Sequence, residues 1–280
     1  MSAAHDIAAP DTVGHAASLL ASPWGADDPY SHALHSGRGP LFLRRADGWL
    51  LPLEVERWCA EADSVDLEVL GRCEGSVLDV GCGPGRLVAA LAAQGRCVLG
   101  IDVSEAAIAR TVRRLRHPLP ERDRALGLGP ALRRSVFEPV PGEGHWDTAL
   151  LMDGNVGIGG DPRALLRRLA QLLSPSGLLI AETAPVDIDE RVTVQVVHIV
   201  GSGGSTGSPF PWARLGTRAL LRHAHRSGWR AVDQWSAQGR CFVALRSRRA
   251  RGRPGPPRRE ALIGGQRARK PSAAGTAADR

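Results

Sequence analysis

The sequence is poor in aromatics: one Tyr, four Phe and seven Trp supply 4% of its 280 residues. Lysine is nearly absent, with Lys270 alone, so almost every positive charge is an arginine. No apolar run reaches the ~18 residues of a membrane span. The opening MSAAHDIAAPDTVGHAASLL has neither a basic leader nor a long apolar segment. No membrane partner and no secretory signal are expected, and a cytoplasmic location follows. The five cysteines (Cys59, Cys73, Cys82, Cys97 and Cys241) form no CxxC pair and are odd in number. That spacing argues against a disulfide framework and against a metal site. Reduced, small apolar residues are expected instead. No internal repeat is found.

Charge is unevenly distributed. The net charge is +7, yet the stretch from Arg246 onward holds 11 basic and 2 acidic residues, +9, which leaves −2 for the rest. Residues 247–280 are rich in Gly, Pro and Arg and poor in apolar side chains, so a basic disordered tail is expected. It lacks interleaved aromatics, which argues against a nucleic acid partner. Residues 1–27 are small and polar and are expected to be poorly ordered. Residues 28–75 read as an N-terminal helical or lid segment. In it a turn at Ala46–Gly48 separates two apolar pieces, and a helix is expected from Pro52 with Val55, Trp58 and Cys59 on one face.

Residues 76–246 alternate between strand and helix. SVLDVG reads as a buried strand, and PGRLVAALAAQG opens on Pro84 and closes on Gly95 like a helix. CVLGID is a second strand. Ser104 caps a helix with Ile108, Val112 and Leu115 on one face. RRSVF reads as a third strand and DTALLMD as a fourth. A helix from Asp161–Pro162 carries Leu165, Leu166, Leu169 and Leu173. After the breaker SPSG comes a fifth strand, LLIAET. Such alternation implies an α/β fold: a Rossmann-like open twisted sheet, mostly parallel, with helices on both faces. WRAVDQWS and RCFVALR add an antiparallel C-terminal hairpin. The segment PVDIDERVTVQVVHIVGSGGSTGSPFPWARLG is long for an α/β connection. It reads either as a cover over a pocket or as an edge strand extending the sheet.

GCGPG lies between the first strand and its helix, at the carboxyl end where open α/β sheets bind ligands. Arg86 stands where a dinucleotide fingerprint has its third glycine. Asp79 lies two residues before Gly81, where a carboxylate would repel a pyrophosphate but suit an ammonium group. Asp102 ends the second strand and suits a ribose diol. A ribose joined to a cationic amino acid, without phosphate, describes S-adenosylmethionine (SAM).

VLDVGCGPGRL and GIDVS resemble the glycine-rich motif and second-strand acid of class I SAM-dependent methyltransferases. HWDTALLMDGN is similar to the family's fourth-strand motif, and LLRRLAQLLSPSGLLIAE to its helix, turn and fifth strand. The resemblance covers roughly residues 50–246. It implies that Asp79 faces the methionine amino group, and that Gly81, Gly83 and Gly85 line the cofactor with Cys82 as a small filler. Asp102 would take the ribose hydroxyls and Val103 would pack on adenine. Phe137 and Glu138 would lie beside adenine, in place of the family's frequent Gly-Asp pair. Asp153 and Gly154 would approach the sulfonium.

Methyl transfer from a sulfonium needs alignment more than acid–base chemistry, so no catalytic residue is assigned. Asn155, Glu182 and His198 are candidates on the acceptor side. Tyr30, His32 and Arg38 are candidates for an N-terminal lid. His223 and His225, two apart on a helix, diverge and share no metal. No Asn/Asp-Pro-Pro-Tyr/Phe run follows the fourth strand, which argues against methylation of adenine or glutamine amino groups. A small-molecule acceptor is expected. Two other readings remain open: a nicotinamide-dinucleotide-dependent oxidoreductase, and a non-catalytic SAM-binding protein.

Overall fold

The structure, a computed structural model, describes residues 28–115, 129–200 and 203–248. The expectations for residues 1–27 and for the tail beyond Arg248 lie outside that range. Asp28 caps α1 (Pro29–Ser36), accepting from the Ser31 N–H. β1 (Leu41–Arg45) and β2 (Leu50–Leu53) form an antiparallel hairpin, followed by α2 (Val55–Cys59) and α3 (Ser64–Gly71). The helix expected from Pro52 is thus half strand. Pro52 pairs with Phe42 in the hairpin; β2 is an edge strand, where a missing N–H is tolerated. Asp63 then starts a second helix through a capping box with Asp66.

The main sheet is built from β3 (Val77–Val80), β4 (Val98–Asp102), β5 (Ala131–Arg133), β6 (Trp146–Leu151) and β7 (Leu173–Thr183). Between them lie α4 (Arg86–Ala93), α5 (Glu105–Arg114) and α6 (Pro162–Leu172). A further antiparallel set follows: β8 (Asp189–Val200), β9 (Gly203–Thr206) and β10 (Phe210–Leu215). Last come α7 (Thr217–Arg226), β11 (Trp229–Ala237) and β12 (Arg240–Ser247). The seven-stranded order is β11-β12-β7-β6-β3-β4-β5. All pairings from β7 to β5 are parallel, and β12 and β11 are antiparallel. β3 and β6 are neighbours, so the strand order reverses there and a crevice opens at their carboxyl ends.

Period-2 alternation divides the strand residues between two cores. Leu78, Ala149, Leu151, Leu179 and Val243 face α6 and α7, with Leu165, Leu169 and Leu220. Val77, Leu150, Ile180 and Phe242 face α3 and α4, with Val69, Leu87 and Leu91. Burial of such side chains at about 25 cal/mol per Å² of apolar surface is the main force holding helices to sheet.

Several local expectations shift. The third strand is Ala131–Arg133; Arg134–Phe137 form the loop after it. In α5 the buried residues are Ala107 and Thr111, while Val112 is exposed. The helix packs close through small side chains, which hydrophobicity alone hides. α6 ends at Leu172, so Leu173 opens β7, and both are buried in the same core. SPSG does not separate helix from strand: Ser174–Gly177 lie within β7, at a register irregularity against β6. Ser247 still belongs to β12 and is buried, so the ordered chain runs past the expected start of the tail.

The long insertion does not extend the main sheet. β8 lies inside a second, antiparallel sheet of order β10-β8-β1-β2, with β9 also paired to β8. One face packs a third core of Leu41, Leu43, Val55, Val194, Val196 and Phe210 with Ala33 of α1. The N-terminal hairpin and the late insertion, about 150 positions apart in register pairs such as Leu43 with Val196, therefore build one cover.

Candidate active site

Glycine geometry sets the wall of the site. Gly81, Gly83 and Gly85 all have positive φ, 73°, 54° and 81°, values that L side chains rarely adopt. Their surroundings differ. A Cβ on Gly81 would meet the Asn155 amide at 2.6 Å, and one on Gly85 would overlap Thr111. A Cβ on Gly83 would meet only the Tyr30 hydroxyl, at 3.4 Å. Gly81 and Gly85 are thus fixed by protein packing, whereas Gly83 leaves its space open to the cavity. Thr111 of α5 donates to the Gly83 carbonyl (2.9 Å), and Asn155 Nδ2 donates to the carbonyls of Val80 and Gly81 (3.0 and 2.9 Å). The turn is held from both sides.

Asp102, at the end of β4, completes this wall. Its Oδ2 accepts from the Gly83 N–H (2.9 Å) and its Oδ1 from the Ser104 N–H (2.8 Å). Burial pushes its carboxyl up, and hydrogen bonds from the Ser104, Gly83 and Val103 backbone offset part of that. A carboxylate has about four lone-pair sites. The backbone donors do not use them all, so acceptor capacity is left that could serve a ligand with adjacent hydroxyls.

A cavity of about 550 Å³ runs from this wall to the second sheet. Its lining includes Gly81, Cys82, Gly83, Asp102, Val103, Phe137, Asp153, Gly154, Asn155 and Glu182 among the residues expected from sequence. Tyr30 also lines it, but His32 and Arg38 do not. Asp79, Gly85, Glu138 and His198 stand outside the lining. Glu138 is a loop cap, accepting from the Ser135 N–H at 2.8 Å. His198 pairs across β8 with Leu41 and Ser205, beyond the cavity-facing Val196. His223 is buried, and its Nε2 meets the Asp189 carboxylate at 3.0 Å, tying α7 to β8. Cys82 is buried with its thiol pushed well up by burial, so it stays neutral.

Asp79 sits behind the glycine wall, 1% exposed, with no hydrogen-bond partner for Oδ2 among the described residues. Burial pushes its carboxyl up to about 7, although the Arg86 guanidinium pulls the other way. A buried carboxylate oxygen without a donor is costly, and a cation on the cavity side would relieve that cost.

Sequence reasoning missed an ion cluster at the floor. Arg86 bonds Asp66 through Nε (2.7 Å) and Nη2 (3.1 Å), and Asp153 through Nη1 (2.7 Å). Arg240 bonds Glu182 through Nε (2.8 Å) and Nη2 (2.9 Å), and Asp66 through Nη1 (2.9 Å). The Asp153 N–H donates to Glu182 Oε2 at 2.8 Å, which closes a ring. Arg57 of α2 hooks onto Asp153 from the cover. Burial raises the Asp66 carboxyl, but hydrogen bonds from Arg86 and Arg240 outweigh it and hold it below its ordinary value. The signal in the sequence was faint: an acidic residue on the apolar face of α3, and an arginine opening an apolar helix.

A family model described as a methyltransferase domain matches residues 55–233. The ubiquinone biosynthesis O-methyltransferase of Pseudomonas paraeruginosa (strain DSM 24068 / PA7) is 37% identical over 108 residues, 39% of this chain and 44% of that one. The enzyme of the same name from Caulobacter sp. (strain K31) is 32% identical over 107 residues, 38% of this chain and 40% of its own. The chain thus covers less than half the length of these curated relatives. A SAM-dependent methyltransferase from Bacteroides fragilis, solved with S-adenosyl-L-homocysteine, shares the fold. Its TM-score is 0.58 at 19% identity, covering 77% of this chain and 91% of that one.

Proposed function

Because the chain belongs to the methyltransferase-domain family, we propose that it transfers a methyl group from SAM to a small-molecule acceptor. The observation that carries this reading is the Asp102–Gly83 pair: a carboxylate with lone pairs to spare, holding a glycine whose side-chain space opens to the cavity. The residues present fit SAM. Asp102 would hold the ribose hydroxyls, Val103 would lie on the adenine, and the backbone of Gly81 and Gly83 would follow the amino acid end. Asp79 would favour the cation from behind the wall. Arg57, with a buried Nη1 that has no partner among the described residues, would offer that nitrogen to the cofactor's carboxylate while its Nη2 stays on Asp153.

When bound, SAM supplies a methyl group already activated on a sulfonium. The protein's task is then alignment and exclusion of water. The Asp153–Asn155 turn fixes the floor beneath the reacting atoms, and the second sheet covers the acceptor. Leu43, Leu53, Phe210 and Trp212 present an apolar ceiling there. The reaction belongs in the cytoplasm, in keeping with five cysteines of which none is in a disulfide. Among the described residues no helix is long and apolar enough to cross a membrane.

A dinucleotide-dependent oxidoreductase is the weaker reading. Arg86 fills the position of a third glycine and is locked into the ion cluster, where it cannot let a pyrophosphate approach the helix. A non-catalytic SAM-binding role leaves the apolar volume beneath the second sheet without a purpose. Incubating the protein with methyl-labelled SAM and pooled metabolites tests the proposal: a labelled small molecule together with S-adenosylhomocysteine supports it. Binding of SAM with no labelled product from any pool favours the non-catalytic reading.

A further inference from the structure

The floor and walls of the cavity contain several titratable groups, and nearly all are committed. Asp102 accepts two backbone amides. Asp153 is gripped by Arg57 and Arg86, and Glu182 by Arg240 and the Asp153 N–H. The Cys82 thiol is pushed well up by burial. Glu54 is different. It lines the cavity at the junction of β2 and α2, it is exposed, and its side chain makes no capping bond and no ion pair among the described residues. It is the N-cap residue of α2, three positions before Arg57, and Arg57 reaches Asp153 just past the end of β6. Glu54 is thus an exposed, uncommitted carboxylate of the cavity lining, close in the chain to the arginine that grips the strand-end turn.

We propose that Glu54 is the general base of the reaction, and that the acceptor is an uncharged, ring-bearing hydroxyl compound. The inference rests on the methyltransferase reading above. The ceiling favours a ring: Trp58, Phe210 and Trp212 line it, with Leu43, Leu53 and Val196 between them. Aromatic side chains stack on flat ligands. A cationic amine would meet both this apolar surface and the positive sulfonium. An alcohol or phenol enters neutral and must lose its proton as it reacts. In the step, the acceptor oxygen forms a bond to the methyl carbon as the carbon–sulfur bond breaks, and the electron pair of that bond remains on sulfur. The hydroxyl proton passes to the Glu54 carboxylate, and from there to solvent at the mouth. The products are a methyl ether and a neutral thioether.

The test uses two phenols of different acidity on the full chain. At pH 8.5, 4-methylphenol is still almost wholly un-ionised and needs a base; 4-nitrophenol is largely ionised and does not. Glu54→Gln is expected to lower kcat on 4-methylphenol by about a hundredfold or more and to change kcat on 4-nitrophenol little. Glu54→Asp should restore part of the loss. Quenching of the intrinsic tryptophan fluorescence, to which the cavity residues Trp58 and Trp212 contribute, should report the same affinity for 4-methylphenol in wild type and Glu54→Gln, and the SAH affinity should not change. An equal loss on both phenols, or no loss on either, overturns the role of Glu54. Wild-type protein that binds SAH but methylates neither phenol overturns the acceptor class. Wild-type protein that binds no SAH overturns the methyltransferase reading itself, a separate result.

Discussion

Asp153 and Glu182 end neighbouring strands and are joined directly: the Asp153 N–H donates to Glu182 Oε2 at 2.8 Å. The contact holds a residue in an unusual conformation, since Asp153 has φ 55° and is not glycine, a region that costs about 1–2 kcal/mol for most side chains. The cost is offset because both its backbone and its carboxylate are gripped by the ring through Arg86, Asp66 and Arg240. The turn at the cavity floor is therefore set by a buried network.

Removing one member of that ring leaves charges stranded. Arg240 is 14% exposed at its side chain and contacts both Glu182 and Asp66. Arg240→Ala should destabilise the protein by about 3–5 kcal/mol, the range for breaking a buried pair on one side. Urea denaturation checks this. A loss below about 1 kcal/mol would place the ring among surface ion pairs.

The three glycines of the turn should respond differently to alanine. Gly85→Ala would drive a methyl group into Thr111, and Gly81→Ala into Asn155, so both should lower the melting temperature strongly. Gly83→Ala meets only backbone strain and the Tyr30 hydroxyl. It should fold with a modest loss, about 1 kcal/mol, but bind SAM poorly, because the added methyl enters the ligand's space. Thermal melts paired with SAM titrations separate the two effects; a Gly83→Ala protein that binds SAM normally would free that space of any ligand.

Asp79 makes stability depend on pH in an unusual direction. Its folded carboxyl titrates at about 7, above the ordinary ~3.9 of the unfolded chain. Between those values the folded protein holds a proton that the unfolded chain has released, so stability falls as pH rises from about 4 to about 7 and is level above that. Asp79→Asn should flatten this slope and raise stability at neutral pH. Denaturation midpoints at pH 5 and pH 8 in both proteins measure it. An unchanged slope in the variant would mean that another group carries the proton.

Much of this site was legible because its signals are local. The spacing of Gly81, Gly83 and Gly85 is what a sharp strand-to-helix turn requires, and Asp102 is placed by ending a short apolar strand beside it. Glu54 and the ring were not legible. Asp66, Arg86 and Arg240 lie 20 and 174 positions apart in their pairings, and sequence patterns do not show which distant charges meet. The cover was half legible. The alternation of β8 declared a strand, but its partner is the N-terminal hairpin, and pairing across such a distance has no local signature. Glu138 misled because a carboxylate that caps a loop looks in sequence like one that meets a ligand.

The most direct measurement of the central claim is calorimetric titration of the purified protein with SAM, SAH and NAD. The account predicts saturable one-to-one binding of SAM and SAH, and no binding of NAD. It also predicts that Asp102→Ala weakens SAM by ten- to a hundredfold, since a hydrogen bond to a charged group contributes about 1.5–3 kcal/mol. Binding of NAD in preference to SAM, or SAM affinity that ignores the loss of the Asp102 carboxylate, would contradict it.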